Sequence, residues 1–423
     1  MSFNIIKKVK LRRILMKDAI LEQADKTINM KKTTPDTINK KKETPTDTQT
    51  TKNTTTKQIE PPTDIRTTKQ SINYTNLKKT ITLKDCKITL LKKLGSGGFS
   101  EVYDGLVLNR PYAIKKMVKR KYNSDGSKDD KVNKWLEQVT KEGNVGCNLR
   151  HKNIIKTVHH GAYEEGPSLY GYIIIMEKAI NIDLNKFIQS HVNPTFYRIL
   201  FGFNQLSDNF CRFFLAQCLN ASFYFYICEL IHLDIKPENY LLNKDFTIKL
   251  SDFSLVISMH NHPEDFTFSS LGSPSYMAPE FMLGKTVKRE EAHKADIYSI
   301  GITLFYMKFH KRLVPKNCMI DKNTVQMAKD EKNKTIEEAV EKGTLNKECG
   351  DLIQLFTKQD YKKRPDIYQA LNNDWINQNK SKIKHVQLYN EGDPLKFCLE
   401  MQKSDYISSI TRLSNRKYKF KTR

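Results

Sequence analysis

The stretch Ile231–Leu242, "IHLDIKPENYLL", places three polar side chains close together in an otherwise apolar segment. Asp234 is followed by Lys236 two residues later and by Asn239 three residues after that. A carboxylate can accept a proton from a hydroxyl nucleophile, and an ammonium group can neutralise a transferring phosphoryl group. An amide oxygen can bind a divalent cation. The trio therefore indicates phosphoryl transfer, provided that the rest of such a site occurs elsewhere in the chain.

A second carboxylate follows downstream, at the end of the β-like run "TIKLSDFS" (247–254). This residue is Asp252. Carboxylate and amide oxygens, together with phosphate oxygens, are the ligands that Mg²⁺ prefers. The sequence thus offers Asn239 and Asp252 as a pair of candidate metal ligands beside the candidate base Asp234.

Candidate phosphate-binding groups lie upstream. The glycines of "LGSGGFSEV" (94–102) stand between two β-like runs and would let the backbone approach a polyphosphate, although Gly-rich turns are also common in plain hairpins. Lys115 lies in the next apolar run, where its charge needs an anion or a carboxylate partner. Glu142, in "KEGNVGCNLRHKNII", is a helical candidate for that partner; the alternative is a solvated helix carboxylate.

Nine elements in chain order make residues 85–377 resemble the eukaryotic protein kinase superfamily, serine/threonine type. They are the Gly-rich loop, "AIK" (113–115), the helix residue Glu142, "MEK" (176–178), "HLDIKPEN" (232–239), "DFS" (252–254), "GSPSYMAPE" (272–280), "DIYSIG" (296–301) and "KKRPD" (362–366). The resemblance implies an α+β, bilobal protein kinase fold with a small β-rich N-lobe and a larger helical C-lobe. Strand-like runs early in the domain and helical runs later agree with this.

The resemblance also implies cofactors, ATP and Mg²⁺, and a role for each matching residue. The catalytic set is Asp234 as base, Lys236 on the γ-phosphate, and Lys115 on the α/β-phosphates, paired with Glu142. The metal ligands are Asn239 and Asp252. The nucleotide-binding set is Leu94, Gly95, Ser96, Gly97, Gly98 and Phe99 in the phosphate-covering loop, Val102, Ala113 and Leu241 around the adenine, Met176 as gatekeeper, Glu177 and Ala179 on the hinge, and Asp183 near the ribose.

Further matches imply structural roles. Ser273 would contact the catalytic Asp and Lys, and Glu280 would form a buried ion pair with Arg364. Asp296 would anchor the backbone of the catalytic loop. His232 and Phe253 would join the two lobes as part of an apolar spine. Lys236 is the residue that the Ser/Thr branch of the family carries there, so Ser and Thr hydroxyls of protein substrates are the expected acceptors.

Two departures from the family pattern concern regulation. Leu233 stands where most members have an Arg that binds a phosphate on the activation loop. Activation through that route should therefore not require phosphorylation of the candidate loop residues Ser258, Thr267, Ser269 and Ser270. Ser254 replaces the last Gly of "DFG", and this change should narrow the backbone motion of Asp252.

Outside the domain the chain is basic. Most of the formal charge of +24 lies in residues 1–84, a Thr/Lys-rich extension predicted to be mostly disordered, and in the tail at 378–423. These segments are interpreted either as solvated tails or as contacts for acidic proteins, nucleic acid or an anionic membrane surface. No apolar run of about 18 residues occurs, so we expect no transmembrane segment. Eight cysteines without a CxxC pair fit a reduced compartment, the cytoplasm or nucleus.

Alternative functions stay open at this point. A pseudokinase scaffold is one, although Lys115, Asp234 and Asp252 are all present. A small-molecule kinase of the aminoglycoside or choline type is another, and the segments "GSPSYMAPE" and "DIYSIG" weigh against it because they match the peptide-binding half of protein kinases. A dual-specificity kinase of the cell-cycle checkpoint type is a third, suggested by "MEKAINIDLNKFI" (176–188).

Overall fold

A six-stranded antiparallel sheet begins the part of the chain that the computed structural model describes. The described residues are 79–83, 86–98, 100–121, 131–179, 182–191, 206–243, 245–260, 264–267, 272–315 and 320–378. The strands are β1 (Lys79–Leu83), β2 (Cys86–Ser96), β3 (Glu101–Val107), β4 (Arg110–Arg120), β5 (Thr157–Glu164) and β6 (Leu169–Met176). Their order across the sheet is β1-β2-β3-β4-β6-β5. One face buries a core of Ile81, Leu83, Ile88, Leu90, Ile114, Tyr163, Ile173 and Ile175.

Strand β1 lies within the residues that we assigned to the extension ending at 84. It pairs with β2 along its whole length, from Lys79 opposite Leu90 to Leu83 opposite Cys86. The physical reason is the alternation in "KTITL", which turns Ile81 and Leu83 into the sheet core and leaves the polar residues exposed. The folded domain therefore includes these residues.

Helix α1 (Lys131–Asn148) follows β4 and packs on the other face of the sheet. Val139 of α1 is buried with Met117, Tyr172 and Ile174 from the strands. Two glycines of this helix, Gly143 and Gly146, permit the close approach. A Cβ on the first would overlap the ring of His160, and a Cβ on the second would overlap the Thr157 side chain.

The rest of the domain is largely helical. Its helices are α2 (Leu184–His191), α3 (Asp208–Ile227), α4 (Pro279–Met282), α5 (Lys294–Phe309), α6 (Lys322–Glu341), α7 (Lys347–Phe356), α8 (Ile367–Leu371) and α9 (Asp374–Asn377). Ser207 caps α3 by accepting a hydrogen bond from the backbone N–H of Phe210. Both α3 and α5 are apolar on nearly every face, as expected for helices in the centre of a large lobe.

Three short strand pairs occur between the helices of this lobe in the described part of the chain. They are formed by β7 (Leu230–Ile231) with β10 (Ile257–Ser258), by β8 (Tyr240–Leu242) with β9 (Ile248–Leu250), and by β11 (Asp265–Thr267) with β12 (Thr286–Lys288). The stretch 231–242 thus runs from β7 through a 3₁₀ turn (Pro237–Asn239) to β8. Both ends of the stretch are strands, which fixes the backbone of the polar residues between them.

The predicted α+β, bilobal kinase fold is confirmed, with a sheet-rich first lobe and a helical second lobe. The charged segment "GKTVKREEAHK" (284–294) contains β12, whose Val287 is buried. The segment "DIYQALNNDWI" (366–376) forms two helices, because Asn373 caps the second one by accepting hydrogen bonds from the N–H groups of Trp375 and Ile376.

Some predictions fall on residues outside the described part of the chain. They concern the basic extension 1–78, the tail 379–423, the loop residue Phe99, and the candidate phosphosites Ser269 and Ser270. The partners and location proposed for the basic segments stay predictions. Among the described helices, none combines the length and apolar character that a membrane span requires.

Candidate active site

A cavity of about 270 Å³ lies between the sheet and the helical lobe. Most of the residues predicted to bind a nucleotide line it: Leu94, Gly95, Ser96, Gly97, Val102, Ala113, Lys115, Met176, Glu177, Ala179, Asp183 and Leu241. Glu142, Asn239 and Asp252 line it as well. The predicted residues that line this one cavity therefore come from five strands, a helix and the loops between them.

Lys115 forms the charged centre of this cavity. Its Nζ lies 2.6 Å from Oε1 of Glu142 on α1 and 2.9 Å from Oδ1 of Asp252 after β9. Burial opposes the charge of Lys115, but the two carboxylates outweigh burial and raise its pKa above the ordinary value. Burial likewise favours the neutral form of Asp252, yet Lys115 holds the pKa of Asp252 at about 2. The ammonium group and the Asp252 carboxylate are thus both charged at neutral pH.

Glu142 is the buried partner of Lys115 in this ion pair. Its side chain is only 6% exposed, and burial raises its pKa above the ordinary value even though Lys115 lowers it. Of the two readings that the sequence left open, partner of Lys115 or solvated helix carboxylate, the geometry supports the first. The approach of α1 to the sheet, which Gly143 and Gly146 permit, is what brings this carboxylate to Lys115.

The polar trio of the opening stretch forms one hydrogen-bonded cluster. Lys236 Nζ donates to Asp234 Oδ2 at 2.6 Å and to the hydroxyl of Ser273 at 2.7 Å. Asn239 Nδ2 donates to the backbone oxygen of Asp234 at 2.7 Å and to its Oδ2 at 3.0 Å. The other carboxylate oxygen of Asp234, Oδ1, is buried and accepts no hydrogen bond from the residues that the structure describes. One acceptor of the candidate base is therefore available to a substrate hydroxyl. Ser273 contacts Asp234 only through Lys236.

Asn239 and Asp252 fit a hard divalent cation. The Asn239 amide uses its nitrogen for Asp234, and its oxygen accepts no hydrogen bond from the described residues, so this oxygen can act as a ligand. Asp252 has a backbone φ of +65°, a left-handed conformation that is uncommon for non-glycine residues and often occurs at functional sites. No group of three or more His, Cys, Asp or Glu suited to a metal occurs among the described residues. Two oxygen ligands from the protein, completed by phosphate and water oxygens, suit Mg²⁺.

Gly95, near the end of β2, and Gly98, in the loop between β2 and β3, are not required by the fold. A Cβ on Gly95 or Gly98 would meet nothing within 4 Å, and neither residue has a positive φ. The loop is closed instead by a hydrogen bond from the Gly97 N–H to the backbone oxygen of Ser100, at 2.8 Å. Open space above these two glycines, beside a cavity that holds Lys115, is what the close approach of a polyphosphate needs.

The segment that connects the lobes is held by its own charged residues. The Glu177 N–H donates to the backbone oxygen of Lys156 at 2.9 Å, and the Glu177 carboxylate pairs with Lys249 at 2.9 Å. Asp183 caps α2 by accepting a hydrogen bond from the N–H of Lys186 at 2.8 Å. These contacts fix the edge of the cavity opposite Lys115.

Several residues that line the cavity were not predicted as binding residues: Ser100, Ile155, Thr157, Ile174, Lys186, Glu238, Ser251 and Phe253. Two of them could have been found from their distance along the chain to a predicted residue. Ile174 lies two residues before Met176, and Glu238 directly precedes Asn239 in the quoted stretch. Ser100 and Phe253 belong to two of the quoted motifs, the Gly-rich loop and "DFS", whereas Thr157 lies in β5 and Lys186 in α2. Of the predicted loop residues, Gly98 does not line the cavity, and Phe99 lies outside the described residues.

The residue pairs to which the resemblance assigned structural roles also lie in contact. Arg364 and Glu280 form two parallel contacts at 2.6 and 2.7 Å, and both side chains are almost fully buried. The rings of His232 and Phe253 lie 6.2 Å apart, edge to face, between α3 and the cavity. Burial lowers the pKa of His232 below the ordinary value, so a neutral packing role fits it.

Comparison with known proteins identifies the family. The protein kinase domain family model matches residues 88–376. The serine/threonine-protein kinase atg1 of Dictyostelium discoideum is 27% identical over 293 residues, which are 68% of this chain and 39% of the relative. The serine/threonine-protein kinase cds1 of Schizosaccharomyces pombe is 28% identical over 234 residues, 54% of this chain and 46% of the relative. The serine/threonine-protein kinase PLK4 of Xenopus tropicalis is 26% identical over 220 residues, 51% of this chain and 20% of the relative.

The matched region holds every residue of the cluster around Lys115 and Asp234, and it spans more than half of the chain. The chain covers less than half the length of each of these curated relatives. Membership in the family implies ATP binding and protein substrates. By the extent of this match, the chain belongs to the protein kinase family.

Proposed function

We propose that this protein is an ATP-dependent protein kinase that transfers the γ-phosphoryl group to Ser and Thr hydroxyls of protein substrates. The observation that carries the proposal is the position of Lys115 Nζ between Glu142 and Asp252, in the cavity that Asn239 also lines. Phosphoryl transfer depends on positioning and on charge stabilisation, and these residues supply both. The names of the similar proteins, all serine/threonine kinases, support the choice of acceptor.

Each residue of the cluster has a distinct task in this proposal. Asp234 Oδ1, which has no partner among the described residues, accepts the proton of the substrate hydroxyl. Lys236, held by Ser273, neutralises charge on the transferring group, and Lys115 holds the other phosphates. Asn239 and Asp252 are the residues that would hold Mg²⁺. When bound, ATP supplies the phosphoryl group and Mg²⁺ neutralises its developing charge.

A pseudokinase scaffold is the principal alternative, and the described geometry disfavours it. Loss of catalysis in this family usually follows loss of the Lys, the base or the metal-binding Asp, whereas all three are present here. Lys115 is bonded to Asp252, and Asp234 is bonded to Lys236 and Asn239. The charge state of Asp252, with a pKa near 2, is also that of a functional metal ligand.

The test is phosphoryl transfer from [γ-³²P]ATP to generic protein substrates by the full-length protein. Wild type is compared with Asp234→Asn and with Asp245→Asn, a matched change in the surface turn between β8 and β9. We expect transfer by wild type and by Asp245→Asn, and at least about a hundredfold loss in Asp234→Asn, since removal of a catalytic base costs about 10²–10⁴-fold. Acid hydrolysis of the labelled product reports Ser, Thr or Tyr and so tests dual specificity. Nucleotide binding without transfer above the Asp234→Asn level would favour the scaffold.

A further inference from the structure

An arginine from outside the cluster reaches the edge of the active-site cavity. Arg312 lies in the segment between α5 and α6, 74 residues along the chain from Glu238. Its Nη2 donates to Glu238 Oε1 at 2.6 Å, and Glu238 lines the cavity. The guanidinium carbon also lies 5.8 Å from the ring centre of Tyr276 and 5.7 Å from that of Tyr306. A carboxylate and two aromatic rings thus hold this side chain.

Glu238 lies close in the chain to the residues proposed to act on the acceptor hydroxyl. It belongs to the 3₁₀ turn Pro237–Asn239, two residues after Lys236 and four after the candidate base Asp234. Tyr276 is tied to the same region, because its N–H donates to the backbone oxygen of Ser273, whose hydroxyl binds Lys236. Neighbouring residues of an extended peptide are about 3.5 Å apart, so side chains one to three residues from the phosphorylated hydroxyl can reach Glu238.

Without Arg312, this position would attract a cation. Glu238 is 30% exposed on its side chain, and its Oε2 is buried without a hydrogen-bond partner among the described residues. The Tyr276 hydroxyl is likewise buried and unpartnered in the described part of the chain. A carboxylate with these surroundings is suited to a guanidinium from a substrate. In this protein the guanidinium comes from the chain itself.

Arg312 also presents donors outward. A guanidinium group has five N–H donors, and Arg312 uses one of them for Glu238. Its side chain is 30% exposed. The surface that a peptide meets beside Asp234 is therefore a neutralised carboxylate with a partly free guanidinium, rather than an acidic subsite.

Resting on the kinase activity proposed above, we propose that Arg312 determines substrate selectivity. It occupies Glu238 in the way that a basic substrate side chain would, so a basic residue near the phosphorylated hydroxyl contributes no affinity. Its remaining N–H groups favour an acidic side chain in the peptide at that place. The Arg312–Glu238 pair is thus a specificity element, and its contribution to fold stability is secondary.

The experiment uses synthetic peptides with one phosphorylatable Ser and a single Arg, Asp or Ala at each position from four residues before it to two after it. The ratio of kcat/KM between Arg and Ala peptides is measured for wild type, Arg312→Ala, the double variant Arg312→Ala/Glu238→Gln, and Lys311→Ala. Lys311 is the adjacent cation and pairs with Glu331 on α6, so its variant controls for loss of a surface ion pair.

In wild type and Lys311→Ala we expect no preference for Arg at any position and a preference for Asp at one. Arg312→Ala should gain about tenfold for Arg over Ala at that same position, the value of one charge-assisted contact, and lose the preference for Asp. The double variant should lose the gain, because the exposed carboxylate is then absent. A role in stability alone would change the melting temperature and leave these ratios unmoved.

Two outcomes of the transfer assay overturn the inference. One is a wild-type preference for Arg, and the other is an identical set of ratios in wild type and Arg312→Ala. Absence of any transfer would instead contradict the proposed function, and binding then decides this inference separately. Fluorescein-labelled Arg and Ala peptides are titrated into proteins that carry Asp234→Asn. If Arg312→Ala does not raise the affinity for the Arg peptide in that background, the inference is wrong.

Discussion

Asp296 holds Leu233 in a left-handed backbone conformation. Its Oδ1 accepts the N–H of Leu233 at 3.0 Å, and Leu233 has a φ of +64°. A non-glycine residue in this region carries a cost of about 1 kcal/mol or more, which the surrounding structure must offset. The second oxygen of Asp296 accepts the N–H of His232 at 2.9 Å. A helix in the centre of the lobe thereby fixes the backbone directly before the candidate base.

Replacement of Asp296 should displace Asp234 indirectly, through the backbone of the two residues before it. Asp296→Ala removes two charge-assisted acceptors, and we expect kcat to fall at least about tenfold and the free energy of unfolding to fall by about 2–4 kcal/mol. Kinase assays and urea unfolding measure the two effects. Asp321→Ala is the matched control, because Asp321 also accepts a backbone N–H, that of Thr324, but caps the distant helix α6. It should lose about 1 kcal/mol and keep kcat. Equal kcat in all three proteins would contradict the anchoring role.

Kinase activity should not require phosphorylation of the activation loop, because the Arg that would bind the phosphate is replaced by Leu233. Leu233 packs against the apolar cluster that contains Met277 and Phe281 and against the apolar cluster that contains Met259, so apolar contacts occupy the place of the phosphate-binding Arg. A variant with Ala at Ser258, Thr267, Ser269 and Ser270 should therefore retain at least about half of the wild-type kcat, measured on protein expressed in bacteria and checked for phosphate by mass spectrometry. Circular dichroism controls for folding. Loss of most activity in a folded variant would show that another cation receives a loop phosphate; Lys141 lines the same cavity as Leu233.

Close packing of α1 should be necessary for the Lys115–Glu142 pair. A Cβ on Gly146 would overlap Oγ1 of Thr157 and lie 3.0 Å from its Cβ and 3.2 Å from Phe253 Cδ2. Gly146→Ala should push the helix outward, raise KM for ATP several-fold and cost about 1–3 kcal/mol of stability. Asn144→Ala, on the exposed side of the same helix, serves as the control and should leave both quantities unchanged. An Ala variant with wild-type KM and stability would mean that the helix adapts without moving Glu142.

Chemistry made the catalytic centre predictable from sequence, and motif matches also predicted distant pairs such as Glu280 with Arg364, whereas a distant contact that no motif marks was not predictable. Asp234, Lys236 and Asn239 are confined to a short stretch because one loop must present a base, a cation and a metal ligand to the same phosphate. Residue type and spacing therefore reveal them. The pair of Arg312 with Glu238 joins segments 74 residues apart and depends on how the chain after α5 is placed, so no local pattern encodes it. The pairing of β11 with β12 is hidden for the same reason, since their residues are mostly polar.

Lys332 should make the stability of the protein depend on pH. This lysine of α6 is 3% exposed, and its Nζ donates to Oγ1 and the backbone oxygen of Thr357, with no carboxylate among its partners. Burial, and then the charges of Lys329, Lys358 and Arg364, lower its pKa to about 8. Between pH 8 and the ordinary value of 10.5 the folded protein binds fewer protons at this site than the unfolded chain. The free energy of unfolding should therefore rise with pH in that window, by up to about 3 kcal/mol.

Lys332→Met isolates this contribution, because Met fills a similar space without a charge. Below pH 8 the variant should be more stable than wild type, and the difference should shrink to near zero above pH 10.5, where the buried amine of the wild type is neutral. Urea unfolding at pH 7, 8, 9 and 10 measures the difference, and other titrating groups cancel in the comparison. Lys334→Met removes an exposed charge from the same helix and should show no such trend. A variant less stable than wild type at every pH would mean that the hydrogen bonds to Thr357 outweigh the cost of burying the charge.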